Sequence, residues 1–417
     1  MQDIEAVVIG AGALGASVAY HLARRGKRVV LLDRFDVASQ TSPRAAGLSQ
    51  QIRADPGTTR LAMRAVRLLE HFSDDTGEPL TIHQSGSIKM ARTPEGATQL
   101  ARDVRHGQAL GLDIQTISAA EAQNLAPFFR PEGALALWYT ASDIFLEPGD
   151  LPRAYARAAA RLGATVLPRT TVTAIGIHEG AIEQVVTSAG TLRTPTVIDT
   201  AGAWNGLVAA MVGIQVPIVP TRHQLYITEP LAGITPEQPI VRVLEANVYV
   251  RPERGGLMLG GYEPDPLQVE MRDLPEDFQI ADLALDFEPL RKLTRDVRAQ
   301  FPLLTDAPIA ELRGGLPTMT ADGNYIIDQV PGVTGFFVVG GCCVGGLSIA
   351  PAVGESIATW VVDGRPPVEG ARFRLDRFGA QVALDDRLRA ACLWRYANHY
   401  SDVGRLEEGE EPWSAHA

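Results

Sequence analysis

The chain has 417 residues, 46% hydrophobic and 21% charged, with a formal net charge of −11. That length allows two domains with substantial cores, and the composition is that of an ordinary globular enzyme. The negative balance argues against a nucleic-acid partner, which needs a basic surface, and three cysteines (Cys342, Cys343, Cys392) without a pairing framework or metal spacing fit a reducing cytoplasm.

In chain order, the start MQDIEAVVIG has no basic region before its apolar run, so no signal peptide is expected. No apolar run reaches membrane-spanning length; the expected location is cytoplasmic, with no membrane span. From Glu5 to Asp33 the sequence EAVVIGAGALGASVAYHLARRGKRVVLLD reads as strand, glycine turn, helix and second strand. This is the order and length of a dinucleotide site. Gly10 permits the tight turn, Gly12 lets backbone approach a pyrophosphate, and Gly15 lets helix and strand pack closely. The helix N-terminus offers unpaired N–H groups to phosphate. Asp33, ending the second strand, can accept from both ribose hydroxyls and argues against a 2′-phosphate, hence against NADP.

After Asp33 the stretch ASQTSPRAAGLSQQIR predicts a loop crossing near the nucleotide. Helices are expected over Thr58 to Phe72, Pro94 to Leu110 and Pro148 to Leu162, strands within Leu80 to Met90, and a helix start at Ser118 with Glu121 completing a capping box. Short β-rich runs then lead to an apolar strand, Thr196 to Thr200, and to Ala201-Gly202-Ala203-Trp204. From Pro217 the texture becomes alternating strands (HQLYIT, ANVYVRPE, GLMLGGY) around an acidic helical patch, Asp277 to Phe301. Strands at Tyr325 to Asp328 and Gly335 to Gly341, then a glycine turn entering a helix over Gly345 to Val362, return to the nucleotide-fold texture. The tail beyond Arg365 reads as a helical appendage ending in a disordered acidic stretch.

Three motifs, GAGALG, TAGAW and the C-terminal GGLSIAPAVGE, resemble those of the FAD-dependent amine oxidoreductases of the D-amino-acid oxidase superfamily. The sequence is most similar to its sarcosine and dimethylglycine oxidase/dehydrogenase branch, over about residues 4 to 365. The resemblance implies an α/β fold, with a Rossmann-type FAD-binding domain (1–80, 149–216 and 317–365) interleaved with a second α+β domain on a mainly antiparallel sheet (81–148 and 217–316), followed by the tail (366–417). It implies FAD-dependent oxidation of an amino acid's C–N bond, most simply N-demethylation of a secondary or tertiary amine, with oxygen or an electron-transfer partner as acceptor. The alternatives are a D-amino-acid or glycine-type amine oxidase, a 2-hydroxy acid dehydrogenase with His223 as base, and a flavin-carrying subunit without turnover of its own.

The candidate cofactor-binding residues are Gly10, Gly12, Ala13, Leu14 and Gly15, then Asp33, Arg34, Ser42, Arg44, Ala46 and Gly47. Val172, Ala201, Gly202 and Trp204 follow, and at the C-terminal turn Gly341, Gly345, Gly346, Leu347 and Ser348. The C-terminal turn would face the flavin edge that becomes anionic on reduction. A substrate carboxylate calls for an arginine, and Arg53 falls where the family pattern has one. Dimethylglycine dehydrogenases carry, in a similar stretch, a histidine bonded to the flavin; Arg44 stands there and cannot form that bond. Monomeric sarcosine oxidases use a cysteine that the Gly315–Thr320 stretch lacks. Non-covalent FAD is therefore expected, with Arg44 over the flavin ring or helping to hold substrate. His223 and Tyr262 match a histidine and a tyrosine that face the flavin, His223 as a group titrating near neutrality. Met258 and Ser348 stand where sarcosine oxidases have lysines, which leaves oxidase against dehydrogenase open and puts glycine-sized substrates in doubt. Cys342 and Cys343 read as small packing residues, and the remaining histidines, His399 among them, as structural. No metal site is expected.

Overall fold

The apolar runs AVVI and VVLL form adjacent parallel strands, Ala6–Ile9 and Val29–Leu32, in a computed structural model that describes residues 4–367, 370–379 and 385–400. Both are buried along their whole length, as continuous apolar runs in a parallel sheet must be. The six-stranded sheet runs Ile326–Gln329, Phe336–Gly340, Val197–Asp199, Ala6–Ile9, Val29–Leu32, Thr165–Leu167. Every neighbouring pair is parallel except the first. Helices Ala13–Arg24, Asp150–Arg161 and Gly346–Asp363 pack in the apolar cluster on one face. The antiparallel meander Val172–His178, Ala181–Thr187, Gly190–Arg193 covers the other.

A second sheet of eight strands runs Ile309–Gly315, His223–Thr228, Gly256–Gly261, Val248–Glu253, Ile240–Val243, Ser87–Ala91, Ala136–Thr140, Ile114–Thr116. Only the Ile240–Val243 and Ser87–Ala91 pair is parallel. Side-chain alternation divides its faces. Val241, Val243, Val248, Val250, Leu257 and Leu259 join a core closed by the Phe287–Asp296 helix. Arg242, Tyr249, Met258 and His223 lie at the opposite parity. The chain thus builds part of the first sheet, crosses to the second, returns, and crosses again: an α/β nucleotide fold interleaved with an α+β unit.

Several elements differ from expectation. The loop after Asp33 contains a 3₁₀ turn, Ser42–Arg44, and a two-residue strand, Leu48–Ser49. The acidic patch has a 3₁₀ turn at Ile280–Asp282 and is α-helical only over Phe287–Asp296, where Asp286 caps the helix by accepting from the Glu288 N–H at 2.9 Å. The expected box at Ser118 and Glu121 is present and starts Ala119–Leu125. The tail is no appendage: its helix Asp386–Ala397 buries Leu388, Cys392 and Tyr396 with Val219, Met319 and Tyr262 in one cluster. The acidic stretch beyond residue 400 lies outside the described residues. Among those residues, no helix is long and apolar enough to cross a membrane.

The tightest joint is at the first helix. Gly10 has φ +102°, and a Cβ on it would lie 2.6 Å from the Thr200 carbonyl oxygen. A Cβ on Gly15 would overlap the Gly10 carbonyl oxygen and the Thr200 hydroxyl. Gly15→Ala must push the helix off both strands, and overpacking of this kind costs about 1–3 kcal/mol. We expect a lower urea midpoint with unchanged slope; an unaltered midpoint would show that the joint can relax.

Candidate functional site

A cavity of about 330 Å³ is lined by residues from both sheets and the tail. At one end are Gly10, Gly12, Ala13 and Leu14, with Asp33 and Arg34 beside them. The Asp33 carboxylate accepts the Ala11 N–H at 2.7 Å and the Phe35 N–H at 2.8 Å, and burial pushes its pKa up to about 6. The Arg34 guanidinium lies 5.1 Å from the Phe35 ring centre and donates to the Glu276 carbonyl; Phe35 in turn packs on Trp204 at 5.7 Å. Ser42 Oγ accepts the Ala13 N–H at 3.0 Å. The helices starting at Ala13 and Gly346 both have a glycine at the N-cap and so no side-chain cap from that residue; apart from the Ala13 N–H held by Ser42, their first turns present N–H groups and the positive end of the peptide dipoles at this end.

Ala46, Gly47, Val172, Ala201, Gly202, Trp204, Gly345, Gly346, Leu347 and Ser348 line the cavity as well. Gly15 and Gly341 do not. Gly15 acts in the helix–strand joint, and Gly341 sits behind the wall, where a Cβ would press on Thr320. Arg44 lines the cavity, but its guanidinium is turned onto its own loop, donating to the Ser39 and Gln40 carbonyls. Cys342 lines the cavity while Cys343 lies behind it, against Thr320 and the Gly341 carbonyl. Both thiols are free and burial pushes both pKa values up. Met258 is buried among Leu225, Ile227 and Tyr249 and is absent from the lining.

The other end holds the groups with acid–base character. Arg53 donates to Ser348 Oγ at 2.9 Å, and Ser348 donates to the Gly345 carbonyl at 2.8 Å; Arg53 Nε is buried without a partner. His223 is held at both nitrogens, Nδ1 to the Tyr396 hydroxyl at 2.7 Å and Nε2 to the Tyr249 hydroxyl at 2.9 Å. A neutral imidazole donates at one nitrogen and accepts at the other, so each tyrosine takes one role. Desolvation pushes the His223 pKa down to about 4. The expectation of titration near neutrality is corrected: this ring stays neutral. Tyr262 packs 5.0 Å from His223 and stacks on His399 at 4.1 Å.

Sequence reading passed over Arg242, Tyr249, His399 and Tyr400, all of which line the cavity. His399, taken as structural, is corrected here: desolvation holds it well below the usual histidine pKa, and its ring forms part of the wall. The tail is pinned there by Asn247, whose Nδ2 donates to the Ala397 carbonyl at 2.9 Å, and by Gln99, which donates to the Tyr400 carbonyl at 2.8 Å. The YANHY run was the available signal, since tyrosine and histidine at that density exceed what a solvated tail needs. Among the described residues no cluster has the make-up of a metal site.

A family model described as FAD dependent oxidoreductase matches residues 5–360. Human mitochondrial sarcosine dehydrogenase is 29% identical over 405 residues, 95% of this chain and 44% of that protein. Human mitochondrial dimethylglycine dehydrogenase is 27% identical over 90% of this chain and 44% of its own length. The chain therefore spans less than half of these relatives. The crystal structure of L-proline dehydrogenase from P. horikoshii superposes with a TM-score of 0.81 at 25% identity, covering 90% of this chain and 98% of that one. The cavity suits such a cofactor: two helix N-termini with glycine at the N-cap, a buried carboxylate at a strand end and a wall of glycines are what a dinucleotide needs.

The state of His223 gives a test by acidification. Its folded pKa, about 4, lies below the unfolded value of 6.5, so the unfolded chain takes up a proton first as pH falls. This group therefore costs stability progressively between pH 6.5 and 4, up to about 3 kcal/mol. His223→Gln should lose less stability than wild type between pH 7 and about 4.5, by urea denaturation at each pH. Equal losses would mean that the ring is protonated in the fold.

Proposed function

The chain belongs to the FAD dependent oxidoreductase family, and on that premise we propose that it oxidises the C–N bond of an amino acid by N-demethylation of a secondary or tertiary amine. The observation that carries this reading is one cavity lined both by a permanent cation, Arg53, and by a histidine that stays neutral, His223. Gly10–Leu14, Asp33 and Ser42 would hold the adenosine diphosphate half of FAD. Gly345–Ser348 would lie at the ring edge that gains negative charge. When bound, FAD supplies a two-electron acceptor, so that an N-methyl carbon loses hydride and the resulting iminium takes up water to give formaldehyde and the demethylated amine.

Arg53 would bind the substrate carboxylate with its guanidinium fork, already oriented by Ser348. The same positive charge, together with desolvation, disfavours an ammonium in the site, so the amine enters neutral and keeps the lone pair that hydride loss requires. Tyr262, stacked on His399, would bound the space in which the amine sits. A 2-hydroxy acid would need a base strong enough to take an alcohol proton, and His223, pinned at both nitrogens with a pKa near 4, is a poor one. The amine reading needs no such base.

FAD is proposed to be non-covalent: Arg44 cannot form a flavin bond, and the Gly315–Thr318 part of the cavity wall carries no cysteine. Denaturing the yellow protein in acid should leave all the flavin in the supernatant; flavin that stays with the pellet would refute this. Anaerobic titration with sarcosine, dimethylglycine, larger N-methyl amino acids, D-amino acids and 2-hydroxy acids should bleach the visible flavin band with the N-methyl amines alone. Air readmitted afterwards will show whether oxygen is an acceptor. Bleaching only by hydroxy acids or primary amines would sink the demethylase reading.

A further inference from the structure

Arg242 lies on Ile240–Val243, in the interior of the second sheet, is 2% exposed, and lines the cavity. Its neighbours Val241 and Val243 belong to the core behind the sheet, so alternation sends the guanidinium the other way. Its Nη1 is buried with no hydrogen-bond partner, as is Nε of Arg53 in the same cavity. A buried guanidinium N–H without an acceptor is costly, and here two belong to arginines that line one cavity.

The protein's own groups leave these donors unmatched. The nearby anion is Asp143, but its oxygens are already used: Oδ1 accepts from the Gln51 N–H at 2.9 Å and from the Gln51 amide, and Oδ2 from the Ser87 hydroxyl. Asp143 opposes the charge of Arg242 without supplying the missing acceptor. Lys89 is 3.7 Å from Asp103. Both nitrogens of His223 are already taken by the Tyr396 and Tyr249 hydroxyls, and desolvation disfavours the charged form of both wall histidines, so neither is placed to compete for an anion. The Tyr400 hydroxyl, brought in by the tail, sits beside Arg242 and within the field of Arg53.

We propose that Arg242, with the Tyr400 hydroxyl beside it, is a second carboxylate anchor, and that the substrate is an N-methylated acidic amino acid whose side-chain carboxylate binds there. This rests on the reading of Arg53 as anchor for the α-carboxylate. A carboxylate is the fitting group because it accepts at two donors at once and both bonds are charge-assisted. A substrate with one carboxylate fills Arg53 and leaves Arg242 Nη1 as it stands, without an acceptor.

The test uses flavin-loaded protein and ether analogues that cannot be oxidised as amines, with binding read by calorimetry. Methoxysuccinate and 2-methoxyglutarate carry two carboxylates and 2-methoxypropanoate carries one; methoxysuccinate with its distal carboxylate as the amide keeps the shape without the charge. We expect at least one dicarboxylate to bind about tenfold or more tighter than both the monocarboxylate and the amide. Arg242→Gln should bring that ratio to within about threefold of unity, with Arg242→Lys in between. No dicarboxylate binding, equal binding by wild type, or a preference that survives Arg242→Gln overturns the proposal. If Arg242→Gln fails to fold, the wild-type ratio with the amide control still decides. Arg53→Gln should weaken every ligand; if it weakens none, the first anchor is wrong, and the ratio set by Arg242 judges the second separately.

Discussion

The approach of the first helix to the first sheet sets the geometry on which the rest depends. Gly10 and Gly15 let the helix backbone meet the strand end, and the Thr200 hydroxyl locks the joint by donating to the Ile9 carbonyl at 2.8 Å and the Gly10 carbonyl at 3.0 Å. The next residue back, Asp199, is fully buried and accepts from the Ala201 N–H and from Asn205 Nδ2. One joint therefore fixes the first turn, the Ala201–Trp204 turn and the strand ends between them. A side chain at Gly15 would move all three relative to one another, and with them the wall that faces the cavity.

Legibility in the sequence followed how local each determinant is. The unit from Glu5 to Asp33 was readable because strand, turn, helix and acid lie within one short stretch, each with its own pattern. The turns at Ala201–Trp204 and Gly345–Ser348 were readable for the same reason. Ile240–Val243 was passed over: four residues following a proline fit a short strand no better than a loop, and it is pairing with Val248–Glu253 on one side and Ser87–Ala91 on the other that makes them one. The identity of His223 was plain, but its protonation state was not. That state depends on Tyr249 and Tyr396, 26 and 173 residues away, and on the desolvation they impose.

The cavity separates two kinds of polar group. Its arginines carry charge at any physiological pH, while His223 and His399 have been emptied of charge by desolvation. Around these residues the positive charge is fixed by guanidinium groups and not by imidazole, while Asp33, at the other end of the cavity, has a pKa raised to about 6. On the proposed reading, histidines titrating near neutrality would have competed with Arg53 for the substrate carboxylate and raised the cost of bringing a cationic amine alongside. Pinning His223 between two phenols keeps the ring oriented while denying it that charge.

The tail alters where the working unit ends. The family model stops at residue 360, yet His399 and Tyr400 line the cavity and Tyr396 holds His223. Their positions are set by contacts from the second sheet, through Asn247, and from the Pro94–Ala109 helix, through Gln99. A nucleotide domain alone would offer the cofactor end of the site but neither the second-sheet arginine nor the ring that closes over it. The end of the cavity away from the first glycine turn is therefore assembled from three separated pieces of chain, Arg53, the second sheet and residues 385–400. Differences of substrate among related chains can arise in the last of these without disturbing the first joint.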